Sequence, residues 1–139
     1  MDSQALANLA RIGQIKAEPR NDAEIVRMLG MARTRLADAQ LSNLSMEGRF
    51  TSAYNAAHMA ALAALRWHGY RSENRFTVFL CLAHTLGWPA LRWRVLDAAH
   101  RKRNLAEYEG YIELEEATIE ELRRLADELI TDVSAMTGL

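Results

Sequence analysis

The chain has little cysteine, proline or glycine: one cysteine, two prolines and seven glycines in 139 residues. The single cysteine, Cys81, excludes an intrachain disulfide, and its place in an apolar run predicts a buried, inert thiol. So little proline and glycine in a half-apolar composition rich in alanine and leucine argues against a sheet protein and against a disordered chain. We therefore expect one all-α domain over residues 1–139.

Long apolar runs are absent too, and no basic segment followed by an apolar one stands at the start of the chain. These absences argue against a membrane span and a secretory signal, so we expect a soluble, cytoplasmic protein without a membrane partner. The glycines form no phosphate loop or dinucleotide fingerprint, and no cofactor is expected. No metal is expected either, because none of the histidines has the three- or four-residue spacing of a helical metal site. They are His58, His68, His84 and His100.

Charge is divided unevenly along the chain. Residues 1–103 hold 15 of the 17 basic residues and 8 acids, whereas residues 104–139 hold 2 bases and 10 acids. This asymmetry is typical of a nucleic-acid surface with an acidic shield, but it also fits a last helix that packs beside a basic one. Only two of the bases are lysines, and arginine suits planar, bidentate recognition of phosphate or carboxylate better than lysine does.

Apolar spacing and capping residues predict six helices with short connections, and hence an up-and-down bundle. The first, from Ser3 to Ile15, belongs to an accessory N-terminal segment, residues 1–20. The second begins after Asn21, a predicted N-cap. The third runs from Ser45 to His68 and carries seven alanines between Ala53 and Ala64, so we expect it at the centre of the bundle or at a dimer face.

Three more helices follow in this prediction. The fourth runs from Ser72, as N-cap, to Leu86. The fifth has Pro89 in its first turn, reaches Tyr108 and ends at Gly110. The sixth begins near Glu113, and Glu120 and Arg124 are expected to pair across one turn on its outer face.

The predicted fifth helix carries a basic stretch with a tryptophan inside it. Such cations beside an aromatic residue could contact RNA phosphates and stack on bases, or they could pair with the acids of the last helix; both interpretations stay open. Arg103 shares a helix side with Leu96 and Ala99, which predicts a partly buried guanidinium that needs a partner. The candidates for phosphate contact in the stretch are Arg94, Arg101 and Lys102.

Two segments together resemble the HEPN domain superfamily. One is the alanine-rich run from Phe50 that ends in Gly69-Tyr70-Arg71; the other is Arg103-Asn104-Leu105-Ala106-Glu107-Tyr108, ahead of an acidic last helix. The resemblance covers about residues 45–135. It implies an up-and-down helical bundle that dimerises and, in many members, a metal-independent ribonuclease; some members are toxins or defence effectors. The family signature is an arginine, often followed by a polar residue, and a histidine after four to six residues, and Arg103-Asn104 match its first half.

The second half of this signature differs, because the fifth position after Arg103 is Tyr108. A phenol with a pKa near 10 is a poor base at neutral pH, whereas cleavage of RNA without a metal needs a proton taken from the 2′-OH and one given to the leaving oxygen. Histidine does both well. A second Arg…His pair, Arg94 and His100, has five residues between its members. His100 and Tyr108 therefore join Arg103 and Asn104 as candidate catalytic residues.

Two functional hypotheses follow from the sequence. In the first, the chain is a HEPN-like domain of a toxin–antitoxin or defence-type module that acts on RNA as an endoribonuclease; Arg103 contacts phosphate, Asn104 orients it, and His100 or Tyr108 supplies the polar partner. In the second, it is a catalytically silent HEPN-like module for dimerisation or partner binding. The expected partners are a second copy of the chain, RNA, and a cognate protein such as an antitoxin.

Overall fold

The computed structural model describes residues 3–111 and 113–139. Within them the chain forms an all-α bundle of seven helical segments with one two-stranded ladder. The all-α prediction is confirmed, with α4 and α5 as two parts of the predicted fourth helix. The elements are α1 (Ser3–Arg11), β1 (Lys16–Ala17), α2 (Asp22–Asp38), α3 (Met46–Trp67), β2 (Tyr70–Arg71), α4 (Arg75–Leu80), α5 (Leu82–Thr85), α6 (Ala90–Glu109) and α7 (Glu116–Thr137).

Helix α3 is the central element. It packs most extensively against α2 and α7 and also contacts α4, α5 and α6. Its alanines lie against these neighbours at 0–1% exposure: Ala53, Ala56, Ala57, Ala60, Ala61, Ala63 and Ala64. Cys81 is buried in the same core, and burial raises the pKa of its thiol to about 11. None of the helices in the described residues combines the length and apolar character needed to cross a bilayer.

Local capping explains where several helices begin and end. The Asn21 side chain accepts a hydrogen bond from the Glu24 N–H (3.1 Å), and the Ser45 hydroxyl accepts one from the Gly48 N–H (3.0 Å). Both satisfy a donor that the first turn leaves free. Gly110 ends α6 at φ +81°, a left-handed conformation that glycine adopts without strain. These three boundaries agree with the sequence predictions.

The predicted start of the fourth helix, with Ser72 as N-cap, was wrong. Its N-cap is Asn74, whose side chain accepts from the Thr77 N–H (3.0 Å), while the Ser72 hydroxyl accepts from the Asn74 N–H (3.1 Å) and closes the turn before the helix. Ser72 and Asn74 can both cap, and the capping residue is the one whose oxygen faces the N–H three positions ahead. The helix is also interrupted at Cys81, where α4 ends and α5 follows.

Two more predictions differ from the structure. Helix α1 ends at Arg11, so Ile15 reaches the core from a turn and not from a helix. Helix α7 begins at Glu116, and Glu120 forms its ion pair with Arg123 instead of Arg124. Positions three and four residues ahead both adjoin Glu120 on a helix surface, so side-chain direction decides between them.

The N-terminal segment is tied to the bundle by a buried arginine. Lys16–Ala17 pairs with Tyr70–Arg71, and Arg66, 1% exposed, lies beneath this ladder. Arg66 donates to Glu24 Oε1 (2.7 Å) and to the backbone carbonyls of Glu18 (2.9 Å) and Pro19 (2.6 Å). Arg66 thereby lowers the pKa of Glu24 through a hydrogen bond. No local sequence pattern predicts this network, because its members are more than 40 positions apart.

The variant Arg66→Met tests the role of this buried guanidinium. It leaves Glu24 Oε1 and two backbone carbonyls without their donor, while Arg71 still donates to Glu24 Oε2 (2.8 Å). We expect the free energy of unfolding to fall by about 3 kcal/mol. Urea denaturation followed by circular dichroism measures the loss. Arg35→Met is the matched control, since the half-exposed Arg35 pairs with Asp38 on the surface of α2 and its loss should cost less than about 1 kcal/mol. Equal losses in both variants would contradict the structural role of Arg66.

Candidate functional site

Six polar side chains from three helices gather beside the middle of α3. Two members on α3 are four residues apart, and on α6 two members follow a third by three and four residues, a spacing that places side chains on one face of a helix. The first residue of α4 lies against them. We call this group the Tyr54 cluster: Tyr54 and His58 on α3, Arg75 on α4, and His100, Arg103 and Asn104 on α6.

His100 lies at the centre of the cluster between two hydrogen-bonding partners. Its Nδ1 is 2.9 Å from the Tyr54 hydroxyl, and its Nε2 is 3.2 Å from Nδ2 of Asn104. Because an amide nitrogen only donates, Nε2 accepts, and Nδ1 carries the hydrogen and donates it to Tyr54. Tyr54 is fully buried while Asn104 is exposed, so Nδ1 faces the core and the lone pair of Nε2 faces outward.

The surroundings of His100 favour its neutral form. Partial burial lowers the pKa of its imidazole, the Asp97 carboxylate opposes this, and the charges of Arg75 and Arg103 lower it further. Burial and the same two arginines lower the pKa of His58 to about 4. Both imidazoles are therefore uncharged at neutral pH and can accept a proton.

Two arginines flank the ring of Tyr54. The Cζ atoms of Arg75 and Arg103 each lie 5.4 Å from the ring centroid, within range of a cation–π contact. Burial raises the pKa of the Tyr54 phenol against the opposing effect of these two cations, so the phenol stays protonated at neutral pH. The Arg103 side chain is 27% exposed and also pairs with Glu107 one turn ahead (3.3 Å). The partly buried guanidinium expected at Arg103 is present, with a partner on its own helix.

Arg103 also borders an open cavity of about 320 Å³ at the end of α6. Glu47 and Thr51 of α3 face it from one side, and Glu107 and Gly110 close it from the other. A phosphate that approached Arg103 through this cavity would have to displace Glu107 from the guanidinium. The ion pair is half in solvent, so the exchange costs little.

The other predicted residues lie away from the Tyr54 cluster. Arg101 pairs with Asp97 (3.5 Å) and is 73% exposed, and Arg94 lies over the Trp93 ring at 5.6 Å. Arg101 and Lys102 border a groove between α6 and α7, and the Tyr108 side chain is 93% exposed. The structure thus brings His100, Arg103 and Asn104 together, and it does not bring Arg94, Arg101, Lys102 or Tyr108 to them.

The acidic last helix accounts for part of the basic surface. Glu128 of α7 pairs with Arg92 of α6, and Glu116 of α7 forms a bidentate pair with Arg49 of α3 (2.8 and 2.9 Å). Arg49 thereby lowers the pKa of Glu116 through a hydrogen bond. The alternative in which α7 packs beside basic residues therefore applies to Arg92 and Arg49, whereas Arg103 pairs within α6.

Sequence reasoning missed half of the cluster, namely Tyr54, His58 and Arg75. A signal for two of them was present: Tyr54 and His58 are four residues apart and interrupt a helix that is otherwise rich in alanine. Polar residues on the buried side of such a helix need hydrogen-bonding partners, so they predict a polar cluster at that place. Arg75 has no comparable signal, because it follows a turn and its neighbours come from distant parts of the chain.

No group of three or more His, Cys, Asp or Glu side chains gathers as metal ligands would in the part of the chain that the structure describes. The residues of the Tyr54 cluster supply two imidazoles, a phenol, an amide and two guanidinium groups, which are suited to proton transfer and to anion binding. Comparison of the chain with protein-family models, with curated proteins and with solved structures finds no match.

The charges around His100 predict opposite effects for two substitutions. Arg103→Gln removes a cation that opposes protonation and should raise the pKa of His100, whereas Asp97→Asn removes an anion that favours protonation and should lower it. An NMR titration of the imidazole Cε1–H signals measures both shifts. His68, on which neither charge acts, should titrate alike in all three proteins. Shifts of the same sign in the two variants would contradict this arrangement.

Proposed function

We propose that the chain is a HEPN-like domain of a toxin–antitoxin or defence-type module and that it cleaves RNA at the Tyr54 cluster without a metal ion. One observation carries the proposal: a neutral imidazole, His100, directs Nε2 outward beside the Arg103 guanidinium. The all-α bundle and the Arg103-Asn104 pair on its penultimate helix also support it.

In the proposed reaction, His100 acts as the general base. RNA displaces the Asn104 amide from Nε2, which then takes the proton of a ribose 2′-OH. The 2′-oxygen bonds to the adjacent phosphorus, the bond from phosphorus to the 5′-oxygen breaks, and the leaving oxygen takes a proton from water. The hydroxide that remains takes the proton from His100, which restores the neutral imidazole. The products are a 2′,3′-cyclic phosphate and a 5′-hydroxyl. Arg103 binds the non-bridging oxygens, on which negative charge grows, and Tyr54 accepts the Nδ1–H and keeps the ring oriented.

This mechanism makes two residues indispensable. His100→Ala removes the base and Arg103→Ala removes the anion partner, and each should slow cleavage of a fluorescent RNA at least about a hundredfold. The assay is run with a chelator present, and its products are analysed for 2′,3′-cyclic phosphate ends. Arg124→Ala, which removes an exposed arginine from α7, is the matched control and should keep the wild-type rate.

Three outcomes would contradict the proposal. Cleavage that survives unchanged in both variants would come from another nuclease, and cleavage that stops with the chelator would require a metal. A wild-type protein that binds RNA and leaves it intact would exclude the enzymatic part and favour the second hypothesis.

The second hypothesis, a catalytically silent module for dimerisation, is favoured by an exposed face of α6 beside its groove with α7. Leu91, Ala98 and Leu105 recur every seven residues and form an exposed apolar stripe, in which Leu91 is 84% and Leu105 56% exposed. The neighbouring Tyr108 is 93% exposed. Apolar side chains seven residues apart lie along one side of a helix and occupy one of the two apolar positions of a coiled-coil heptad. On this hypothesis the partner is the α6 helix of a second copy.

A charge placed in this apolar stripe should separate the dimer into monomers. Leu105→Glu places a charge in the interface and should convert a dimer into a monomer, as measured by light scattering after size-exclusion chromatography. Leu41→Glu is the matched control, because Leu41 is similarly exposed (48%) but lies between α2 and α3. A wild-type protein that is monomeric at every concentration tested, or a dimer that Leu105→Glu leaves intact, would contradict this prediction.

A further inference from the structure

A second polar cavity, of about 240 Å³, lies between α2, α3 and the start of α4. It shares His58 and Arg75 with the Tyr54 cluster but takes its other walls from different residues. Its lining combines two guanidinium groups, an imidazole, an amide and two thioethers, and none of these groups is acidic. The lining residues are Met31, Arg35, Asn55, His58, Met59 and Arg75.

Arg75 brings to this cavity a guanidinium whose charge no carboxylate of the described residues pairs with. Its Nη1 is buried and has no hydrogen-bond partner among the described residues, and no carboxylate in that part of the chain forms an ion pair with Arg75. More than nine in ten buried polar groups have a partner, and a buried charged donor without one is costly. Arg66, which is also buried, has a carboxylate and two carbonyls as acceptors. The charge of Arg66 is therefore balanced within the fold, whereas the charge of Arg75 is open to an anionic ligand.

The charges around the cavity specify the kind of ligand. Arg35 keeps further donors beside the one it gives to Asp38, and burial together with the nearby cations holds the pKa of His58 at about 4, so that its ring is a neutral donor or acceptor. A metal ion would meet repulsion from both guanidinium groups. An apolar ligand would leave the charge of Arg75 unbalanced. Of these three kinds of ligand, an anion is the one that both guanidinium groups attract.

We propose that this cavity, bounded by Arg35, Asn55, His58 and Arg75, is a binding site for a phosphate group. Phosphate offers several oxygens in a geometry that two guanidinium groups can share, and arginine binds it bidentately. The cavity is smaller than the 300–1,000 Å³ typical of pockets for drug-sized ligands, so it holds a phosphate with little more than the attached sugar. Binding here needs no reaction at His100, and the site stands whether or not the chain cleaves RNA.

The pKa of His58 is expected to change when a phosphate group binds in this cavity. A phosphate bound beside its ring stabilises the imidazolium, so inorganic phosphate should raise the pKa of His58 from about 4, measured by NMR titration. Chloride at the same ionic strength should not, because it screens charges without occupying the site. A His58 titration that is identical in phosphate and chloride would overturn the proposal, and this readout does not depend on RNA cleavage.

Substitutions of the lining residues test whether phosphate binds in this cavity. Arg75→Gln and Arg35→Gln each remove a charged donor and should weaken phosphate binding about ten- to a hundredfold, as measured by isothermal titration calorimetry. Arg27→Gln removes the same charge from α2 two turns away and should change the affinity less than about twofold. Asn55→Ala, which suits the alanine-rich α3, should also weaken binding and remains informative if Arg75→Gln does not fold. Equal effects of Arg27→Gln and Arg35→Gln would overturn the proposal, because they would indicate a general response to charge.

Competition with inorganic phosphate distinguishes a free nucleotide from an RNA strand as the source of the bound phosphate group. A nucleoside monophosphate that displaces phosphate from His58 while an RNA with methylated 2′-hydroxyls does not indicates a free nucleotide. Displacement by that RNA, which cannot be cleaved through a 2′-OH, indicates a phosphate of an RNA strand. Failure of both to compete would overturn the assignment to phosphate esters.

Discussion

Close packing along α3 is the constraint on which the rest of this structure depends. Seven alanines with at most 1% exposure let the neighbouring helices approach α3 closely, because the distance between packed helices is set by the side chains at their contact. The large polar side chains on the same helix, Tyr54 and Arg66, are then buried as well, at 0% and 1% exposure. A buried polar group is tolerated only with a partner, so the packing that forms the core also requires the contacts with His100 and Glu24.

The two buried sites along α3 differ in their charge balance. At the end of the helix, Arg66 and Arg71 share Glu18 and Glu24, and the hydrogen bonds of these arginines lower the pKa of both carboxyls, so the network is balanced within the fold. In the Tyr54 cluster, two cations approach one ring, and among the described residues the carboxylate that forms an ion pair with them is Glu107, at the surface. Balanced charges serve stability, whereas an excess of one sign in a partly enclosed place favours a ligand of the opposite sign.

Signals that act within one turn predicted the fold well. The capping residues Asn21 and Ser45 and the terminal Gly110 bound the helices where their chemistry requires it, since each acts on a backbone group at most four positions away. The choice between Ser72 and Asn74, and between Arg123 and Arg124, was predicted wrongly because both members of each pair have suitable chemistry and the three-dimensional direction of a side chain decides. Tyr54 and His100 are 46 positions apart, so their contact could not be read from any local pattern.

The geometry of α6 limits which residue can act as the general base beside Arg103. The helix is unbroken from Ala90 to Glu109, and at 100° per residue Tyr108 lies about 140° around it from Arg103, on another face. His100 lies about 60° from Arg103 and about 40° from Asn104, on the face that meets α3. In a continuous helix, therefore, an imidazole one turn before Asn104 can share a phosphate with Arg103, while the residue five positions after Arg103 faces solvent. On this geometry the tyrosine at position 108 does not by itself remove the chemistry that the resemblance implies, because His100 already supplies an imidazole.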